Sequence, residues 1–372
     1  MTDEPSPGRP PRVLVVGQGP PATGGIPTFV ANLMGSATLR SRAALRFLNT
    51  TPAGERRPAS VTLTNAGRAL RDVARVFRAA RGADVVHLNV SAVPLSPLAR
   101  ALALCAAARA AGARTILHAH TGRLHIASRG RAYAWLLRRA SLVVDVFVVV
   151  SRVEAEAAAA VGVETEAIAN GIDVDRSSTG PKDDPPLIAF VGTVCERKGL
   201  IDLLGALTEL RGDGAPPFRV EIVGDASQEG PGVFERVRAA YADAGADDVT
   251  FRGALAREDV DDVLARASIF CLPSHWEGLP ISLLEAMAAE TAPIATRVGE
   301  IPAMLDEGKA GVLVAPHDVP GLAAAIDGLL RDRDRRSGLA AAARRRARDV
   351  YGDDSACSAI ADLYRRVAAY SR

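Results

Sequence analysis

Short apolar runs alternate with helical stretches along the first half of the chain. The first run covers residues 12–17, ends in a glycine-rich turn and is followed by a helical stretch from about residue 27 to 39. The alternation continues through strands at 83–90, 113–119 and 143–150, with helices at 94–111 and 130–139. Strands that alternate with helices predict a parallel sheet that is covered on both faces.

A second series of strands and helices begins after a polar, proline-bearing segment at residues 177–186. Its strands are predicted near residues 187–192, 219–223, 249–251, 269–272, 293–296 and 311–314. The fold class that follows is α/β, with two Rossmann-like domains at residues 1–180 and 181–353 facing each other across a deep cleft. Ligands of open α/β sheets bind beyond the carboxyl ends of the strands, so this cleft is the expected site.

Composition excludes several classes of protein. With 372 residues, 48% of them hydrophobic and 24% charged, the chain is neither disordered nor fibrous. Its four cysteines show no C-x-x-C spacing, which disfavours a disulfide framework and a cysteine-based zinc site. The longest apolar run, residues 142–150, is about half as long as a membrane-spanning helix, and residues 1–11 lack the pattern of a secretory signal. We therefore expect a cytoplasmic protein with a polar N-terminal tail.

Charge is distributed unevenly along the chain. Residues 1–180 have a net charge of +10 and the remainder −8, which disfavours a protein that coats nucleic acid along its length. In the basic half, four arginines recur at helical spacing opposite an apolar face; the arginines are Arg68, Arg71, Arg75 and Arg78, and the apolar positions are Leu70, Val73, Ala74 and Phe77. Such a helix is typical either of peripheral contact with an anionic membrane or of an ordinary sheet-covering helix.

The turn after the first strand contains two glycine patterns. Residues 17–22 match G-x-G-x-x-A, but Pro20 and Pro21 remove two N–H groups that a pyrophosphate would need, so a nicotinamide or flavin site is disfavoured. Gly24 and Gly25 then allow the backbone to approach a ligand closely at the entry of a helix, where an anion is favoured. A simple turn is the alternative.

The segment LPSHWEGLPISLLEAMA, residues 272–288, follows an apolar strand and turns into a helix at about Pro280. The loop brings Glu277 and the N–H groups of Gly278 and Leu279 to the positive end of the helix dipole, where a phosphorylated ligand would bind. Glu285 follows about a turn and a half later. Carboxylates at these positions can accept hydrogen bonds from sugar hydroxyls, one near a hexose and one near a ribose.

Two histidine patterns lie at predicted strand ends. His118 and His120 fall on one face of a strand because side chains alternate with a period of two. No third ligand is spaced convincingly nearby, so we expect no metal site. His87 and Asn89, at the end of another strand, would either face a ligand or be structural. The Asp-x-Asp pairs at 173/175 and 332/334 are not assigned to a metal either, and the second pair lies in a charged run typical of a solvated face.

Five motifs in order resemble those of the family 4 glycosyltransferases, which are retaining enzymes of the GT-B fold that use sugar nucleotides. The most specific are Glu277-x7-Glu285 within S-x-x-E-G-x-P-x-x-x-L-E-A and the loop FVGTVCERKG at 190–199. The others are NGID at 170–173, FRG at 251–253 and the strand end HAHTG at 118–122. The resemblance implies the GT-B arrangement of two Rossmann-like domains, with a last helix at 354–372 that packs back on the first domain.

The resemblance also implies roles in the second domain. Lys198 would pair with the donor diphosphate, Glu277 would contact the transferred sugar, and Glu285 would accept hydrogen bonds from the ribose. The backbone of Gly278, Leu279 and Pro280 would hold phosphate and sugar. Thr193 stands where many relatives have an arginine, and Arg197 would supply the missing cation beside Lys198.

In the first domain, the resemblance implies that the Gly24–Gly25 loop closes on the diphosphate and that His120 lies beside the donor sugar. His118 would be packed or would support His120. His87 and Asn89 would contact the acceptor if they are not structural.

The expected reaction is transfer of a hexose from a nucleotide diphosphate sugar, UDP favoured over GDP, to an acceptor hydroxyl with retention of configuration. It would need no metal and no cofactor. The alternatives are a non-catalytic relative that only binds sugar nucleotides, for which Thr193 is the best argument, and a sugar-nucleotide epimerase. The abundance of alanine and arginine is typical of a bacterial genome rich in G and C. Acceptor, donor hexose and oligomeric state are left open.

Overall fold

The computed structural model describes residues 9–19, 22, 25–50, 63–121, 124–175, 177, 179–226 and 232–369, without the side chains of 63–66 and 125. The chain divides into a first unit, Met1–Gly171 with Asp353–Arg372, and a second unit, Ile172–Gly352. This division places the boundary before the polar segment at residues 177–186 and assigns residues 172–180 to the second unit, whereas the sequence predicts a first domain of residues 1–180.

The first unit contains a six-stranded parallel sheet in the order β2-β1-β3-β4-β5-β6. Its strands are β1 Arg12–Gly17, β2 Ala44–Asn49, β3 Val85–Val90, β4 Arg114–Ala119, β5 Val146–Val149 and β6 Glu166–Ala167. Positions 13–17 of β1 and all of β5 are buried, as expected for a parallel sheet with helices on both faces. The two-residue strand β6 has too short a pattern to be predicted from sequence.

The helices of the first unit are α1 Gly25–Gly35, α2 Ala37–Arg42, α3 Leu63–Ala80, α4 Leu95–Ala110, α5 Leu124–Ala127, α6 Arg131–Arg138 and α7 Arg152–Ala159. The single helix predicted at 27–39 is wrong, because Ser36 interrupts it: the Ser36 hydroxyl accepts the Leu39 N–H at 3.2 Å and caps a second helix. Core residues of α4 such as Leu98 and Leu104 pack with Leu88 and Leu117 of the sheet.

Helix α3 differs from its predicted faces. Its four arginines are exposed, as expected, but Leu70 on the predicted apolar face is 71% exposed. Val76 and Ala80 are fully buried instead and belong to the core of the first unit. The helix also packs against α4. Of the two alternatives given for this helix, membrane contact and sheet covering, these contacts agree with a sheet-covering helix.

The second unit contains another six-stranded parallel sheet, in the order β12-β11-β10-β7-β8-β9. Its strands are β7 Leu187–Val191, β8 Arg219–Val223, β9 Val249–Gly253, β10 Ile269–Leu272, β11 Ala292–Thr296 and β12 Val312–Val314. This is the strand order of doubly wound dinucleotide-binding folds, in which the order reverses between β7 and β10. The predicted α/β fold class with two Rossmann-like domains is confirmed.

The helices of the second unit are α8 Leu200–Gly212, α9 Val233–Asp243, α10 Arg257–Arg266, α11 Ile281–Ala288, α12 Ile301–Met304, α13 Val319–Arg331 and α14 Arg333–Tyr351. The last helix of the chain, α15 Asp353–Ala368, belongs to the first unit, where it packs against α2, β3 and β4 and buries Tyr364 completely. Residues 370–372 of the predicted helix and residues 1–8 of the predicted tail lie outside the described residues.

Two further observations concern side-chain chemistry. The four cysteines, all in described segments, are buried and form no disulfide. Burial raises the pKa of Cys105, Cys271 and Cys357 to about 12. Among the residues described, every helix is too short or too polar to cross a lipid bilayer.

Candidate functional site

A buried cluster of charged side chains lies in the second unit where β7 and β10 end. The Glu277 carboxylate, 7% exposed, accepts a hydrogen bond from Lys198 Nζ at 2.6 Å and another from the Ser274 hydroxyl at 2.7 Å. Arg197 Nη1 lies 3.3 Å from the same oxygen. Because β7 and β10 flank the point where the strand order reverses, the cluster occupies the position at which doubly wound sheets bind ligands.

A close backbone contact holds the two cations in place. Arg197 and Lys198 lie on a short 3₁₀ helix, Glu196–Lys198, which ends at Gly199 with φ +67°. A Cβ at Gly199 would lie 2.0 Å from the Pro273 carbonyl oxygen, so only glycine permits this approach. The His275 N–H donates to the Arg197 carbonyl at 2.7 Å. The cation-bearing turn and the Glu277 loop are thus packed directly together.

Glu277 is ionised despite its burial. Burial opposes the charge, but Lys198, Arg197 and the hydrogen bonds from Lys198 and Ser274 outweigh it and hold the pKa of Glu277 below its usual value. The Arg197 guanidinium also lies over the Trp276 ring, with its carbon 4.7 Å from the ring centroid. Arg197 therefore brings a second cation to the cluster, and Thr193 brings none.

The N-terminus of α11 adds backbone donors beside this cluster. Pro280 is the N-cap residue, which agrees with the predicted start of the helix. Within the described segments, the N–H groups of Gly278 and Leu279 have no hydrogen-bond acceptor, while the Gly278 carbonyl accepts the Glu300 N–H at 3.0 Å. Free N–H groups beside a helix N-terminus form a favourable place for an anion.

Glu285 lies further along α11 in a different environment. Its carboxylate is 3.1 Å from Arg257 Nη1, and Arg257 Nε donates to Asp261 at 3.1 Å. Burial nevertheless dominates and raises the pKa of Glu285 to about 7, with Arg257 opposing the shift. The two acids of the motif therefore differ in protonation near neutral pH.

In the first unit, a row of aromatic side chains lies on β3, β4 and the residue after β4. His87 Nδ1 is 2.7 Å from the Tyr364 hydroxyl of α15, and His87 Nε2 is 3.3 Å from His118 Nδ1. The His118 and His120 rings stack with centroids 4.3 Å apart, which places both side chains on one face as predicted. His120 Nε2 is 3.0 Å from Asn89 Oδ1.

The three imidazoles of this row are neutral. Burial lowers the pKa of His87 and of His120 to about 3, and it lowers the pKa of His118 well below the usual value. His87 is 1% exposed and held between Tyr364 and His118, which corresponds to the structural histidine of the two predicted alternatives and not to an acceptor contact. Asn89, 1% exposed, holds the His120 ring in place.

Comparison with known protein families covers nearly the whole chain. The family "Glycosyl transferase 4-like domain" matches residues 9–171, and "Glycosyl transferases group 1" matches residues 171–346. The chain belongs to the family 4 glycosyltransferases. The resemblance seen in the five sequence motifs is confirmed.

Relatives of this family 4 chain include the glycogen synthase of Mycobacterium tuberculosis (strain ATCC 25618 / H37Rv), which is 31% identical over 204 residues, 54% of this chain and 48% of that protein. The chain spans about half the length of the curated relatives it matches.

Among solved structures, sucrose-phosphate synthase from Thermosynechococcus elongatus matches with a TM-score of 0.78 at 20% identity, over 98% of this chain and 100% of that one. Anabaena HepE in complex with UDP-glucose matches with a TM-score of 0.75 at 18% identity, over 96% and 100%. These similar structures share the GT-B fold.

The structure brings together most of the second-unit residues that the family motifs indicated. Lys198, Arg197 and Glu277 are in contact, and Gly278 to Pro280 follow directly at the start of α11. Glu285 has its own partner and does not join the Lys198 cluster through any contact among the described residues. In the first unit, Gly25 is the first residue of α1, and Gly24 lies outside the described residues.

Three contributors to these sites were missed from the sequence. Ser274 bonds Glu277, and its place in the S-x-x-E part of the motif was a signal that could have been used. Arg257 reaches Glu285 only because α10 packs against α11, and Tyr364 reaches His87 only because α15 packs against the sheet of the first unit. Neither contact leaves a local pattern in the sequence of this glycosyltransferase.

Proposed function

We propose that the chain transfers a hexose from a nucleotide diphosphate sugar to an acceptor hydroxyl with retention of configuration. The observation that supports this most is the grouping of Lys198, Arg197, Glu277 and the α11 N-terminus at the carboxyl ends of β7 and β10. Two cations beside free N–H groups favour a diphosphate, and an ionised carboxylate among them favours a sugar that gains positive charge.

For the donor, we propose that Lys198 and Arg197 bind the diphosphate and that the N–H groups of Gly278 and Leu279 add hydrogen bonds to it. Lys198 Nζ contacts Glu277 at 2.6 Å and carries further N–H groups that can reach a phosphate. Arg197 takes the role of the arginine that many relatives have at the position of Thr193. Glu285 accepts hydrogen bonds from the ribose in its ionised form, while Arg257 holds it in place.

The proposed reaction breaks the bond between the anomeric carbon and the phosphate oxygen, and the bonding electron pair stays on the phosphate. The acceptor oxygen bonds to the anomeric carbon from the same face, and its proton passes to the departing phosphate. Lys198 and Arg197 stabilise the negative charge that grows on the diphosphate, and Glu277 stabilises the positive charge on the sugar. Such preorganised charges are usually the largest contribution to catalysis. No metal ion and no redox cofactor takes part in this scheme.

For the first unit, we propose that His120 binds a sugar hydroxyl. Its neutral ring is held by Asn89 at 3.0 Å and by stacking on His118, so it is presented in a fixed orientation. The cytoplasmic location predicted from the cysteine usage is part of the same proposal.

UDP is the proposed nucleotide, because the similar HepE structures were solved with UDP and with UDP-glucose. The first test is thermal stabilisation of the full chain by UDP, GDP and dTDP at equal concentration. A nucleotide at about 100 times its Kd stabilises the native state by about 2.7 kcal/mol, which gives a measurable rise in Tm. A larger rise with GDP than with UDP would overturn the choice of UDP.

The second test incubates the chain with UDP-hexose with and without a panel of hydroxyl acceptors and follows the products by NMR. Transfer with an unchanged anomeric configuration supports the proposal, and an inverted product overturns retention. Conversion of the donor to another sugar nucleotide without an acceptor would instead identify an epimerase. Nucleotide binding without hydrolysis or transfer would identify the non-catalytic alternative.

A further inference from the structure

Three side chains that the proposed reaction does not use form a compact group in the second unit. Asp202 lies in the first turn of α8, His275 in the loop after β10, and His317 between β12 and α13. His275 Nε2 is 2.9 Å from Asp202 Oδ2, and His317 Nδ1 is 3.6 Å from the same oxygen. One ligand atom of each side chain lies within 4.8 Å of the other two.

These separations suit a single metal ion. A tetrahedral zinc ion holds nitrogen and oxygen ligands at about 2.0–2.2 Å, which places neighbouring ligand atoms roughly 3.3 Å apart. The two measured distances, 2.9 and 3.6 Å, lie on either side of that value. Small side-chain rotations would therefore bring all three ligand atoms into coordination distance.

The two imidazoles are already gathered around the carboxylate. Each ring has a nitrogen near Asp202 Oδ2, and the two ring centroids are 3.8 Å apart with planes inclined at 40°. Asp202 and His275 are about one-fifth exposed, and His317 is 66% exposed, so an ion from solution can reach the group. His317 adopts φ +64°, a left-handed conformation that is uncommon for a residue other than glycine.

We propose that Asp202, His275 and His317 bind a divalent transition-metal ion of the zinc class. Two imidazole nitrogens and one carboxylate oxygen are ligands that Zn²⁺ takes readily, and the fourth position is left to water. The inference does not rest on the proposed function, because binding of the ion requires no sugar nucleotide.

Occupancy of this site would affect the neighbouring loop. His275 lies between Ser274, which bonds Glu277, and Trp276, whose ring carries Arg197. An ion on His275 fastens that loop to the start of α8 and to the segment before α13. We therefore place the role of the ion in stabilising the loop that presents Glu277.

The test is a titration of the metal-free full chain with Co²⁺, followed by visible absorption and by competition with Zn²⁺. The wild type should bind one Co²⁺ per chain with the spectrum of nitrogen and oxygen ligands, since all four cysteines are buried. His317→Ala and Asp202→Asn should weaken binding by about tenfold or more. Asp175→Asn, which removes a carboxylate that is 90% exposed and outside the group, should bind as the wild type does.

His317 is the most informative position because its exposure makes its replacement compatible with folding. The Tm of each protein in chelator serves as its own baseline, and Zn²⁺ should raise the Tm of the wild type but not that of His317→Ala. Absence of a saturable Co²⁺ spectrum in the wild type would overturn the proposal. Equal Co²⁺ affinity in the wild type and His317→Ala would overturn it as well.

Discussion

Both sheets are six-stranded and parallel, but the side chains toward their carboxyl ends differ in charge. In the first unit, β3 and β4 lead to three neutral imidazoles, and in the second, β7 and β10 lead to a buried group of ions. Burial is similar in both places, but its outcome differs. Among the residues that the structure describes, no carboxylate contacts these histidines to stabilise their cationic form, so burial keeps them neutral, whereas Glu277 has two cations and stays ionised.

The comparison teaches that the charge of a buried group depends on whether its partners outweigh the cost of burial. Glu285 is an intermediate case within the second unit, because Arg257 opposes the effect of burial without overcoming it. The two units should therefore respond in different ways when a charge is deleted or when the pH is changed.

The largest expected effect is loss of catalysis on deletion of a cation in the second unit. Lys198→Ala removes the ammonium group that contacts Glu277 and is proposed to bind the diphosphate. We expect kcat/KM for transfer to fall about 10²- to 10³-fold, the usual effect of removing one preorganised donor. Steady-state kinetics over a range of donor concentrations measures this.

Lys309→Ala is the matched control, because Lys309 is an exposed lysine of the same unit that pairs only with Asp306 among the described residues. Its kcat/KM should equal that of the wild type. A Lys198→Ala enzyme within threefold of the wild type would show that the ion cluster is structural and would remove the functional contrast between the two units.

The next effect is a difference in acid stability. The pKa of His87 and of His120 in the folded chain, about 3, lies below the value of 6.5 in the unfolded chain, so their stability contribution is present above pH 6.5 and is lost as the pH falls. Between pH 7 and pH 5.5 the two histidines together should cost the first unit about 2–3 kcal/mol.

Glu285 has the opposite sign. Its folded pKa of about 7 lies above the unfolded value of 4.5, so its contribution is present below pH 4.5 and is lost as the pH rises through 7. Hydrogen exchange at pH 7 and pH 5.5, corrected for intrinsic rates, should show protection falling in β3 and β4 but not in β10 and α11. An equal fall in both sheets would contradict the contrast.

A smaller effect is expected on nucleotide affinity through Glu285. If the ribose binds the ionised carboxylate, ionisation around pH 7 should strengthen UDP binding about tenfold between pH 6 and pH 8. Because UDP itself titrates, the quantity to compare is the ratio of Kd values for the wild type and Glu285→Gln at each pH. This ratio should change with pH, and calorimetric titration measures it.

Glu277→Gln sharpens this prediction. Because Glu277 is proposed to stabilise the positive charge on the sugar, Glu277→Gln should lower turnover more than nucleotide affinity. The pKa of Glu277 in the folded chain lies below 4.5, so this substitution should add no pH dependence between pH 6 and pH 8. The reverse pattern, with Glu277→Gln weakening UDP binding and Glu285→Gln lowering only turnover, would exchange the proposed roles of the two acids.

The smallest effect concerns two buried tyrosine hydroxyls, one in each unit. Tyr364→Phe removes the hydroxyl 2.7 Å from His87, and Tyr241→Phe removes the one that donates to the Leu200 carbonyl at 2.6 Å. Each should cost about 1 kcal/mol in the free energy of unfolding, measured by hydrogen exchange in its own unit. A loss that spread equally over both units would show that they unfold together.

Prediction from sequence worked where function and fold leave local patterns. The buried parallel strands give continuous apolar runs, and the segments that follow β7 and β10 carry the spaced Lys198, Glu277 and Glu285 of the family motif. The periodicity of α3 was seen, yet Leu70 was placed on the wrong face because local spacing does not state where the neighbouring α4 lies.

What could not be predicted depends on contacts between distant segments. Arg257 of α10 meets Glu285 of α11, and His317, between β12 and α13, lies near Asp202 at the start of α8. The direction in which the pKa of Glu285 is shifted depends on its burial and on its partner Arg257, and the local sequence shows neither. Composition likewise did not show that His87 would be buried under Tyr364.

The position of α15 has a consequence for biosynthesis. Residues 353–368 supply Tyr364 and other buried side chains to the sheet of residues 12–167, yet the ribosome makes them only after the whole second unit. Residues 1–171 therefore wait for α15 until the second unit has been translated, whereas all residues of the second unit, 172–352, are available once residue 352 has emerged. During that interval the surface of β3 and β4 that α15 covers, including His87, is exposed. A nascent chain that stalls before residue 353 would expose this surface to chaperones and proteases.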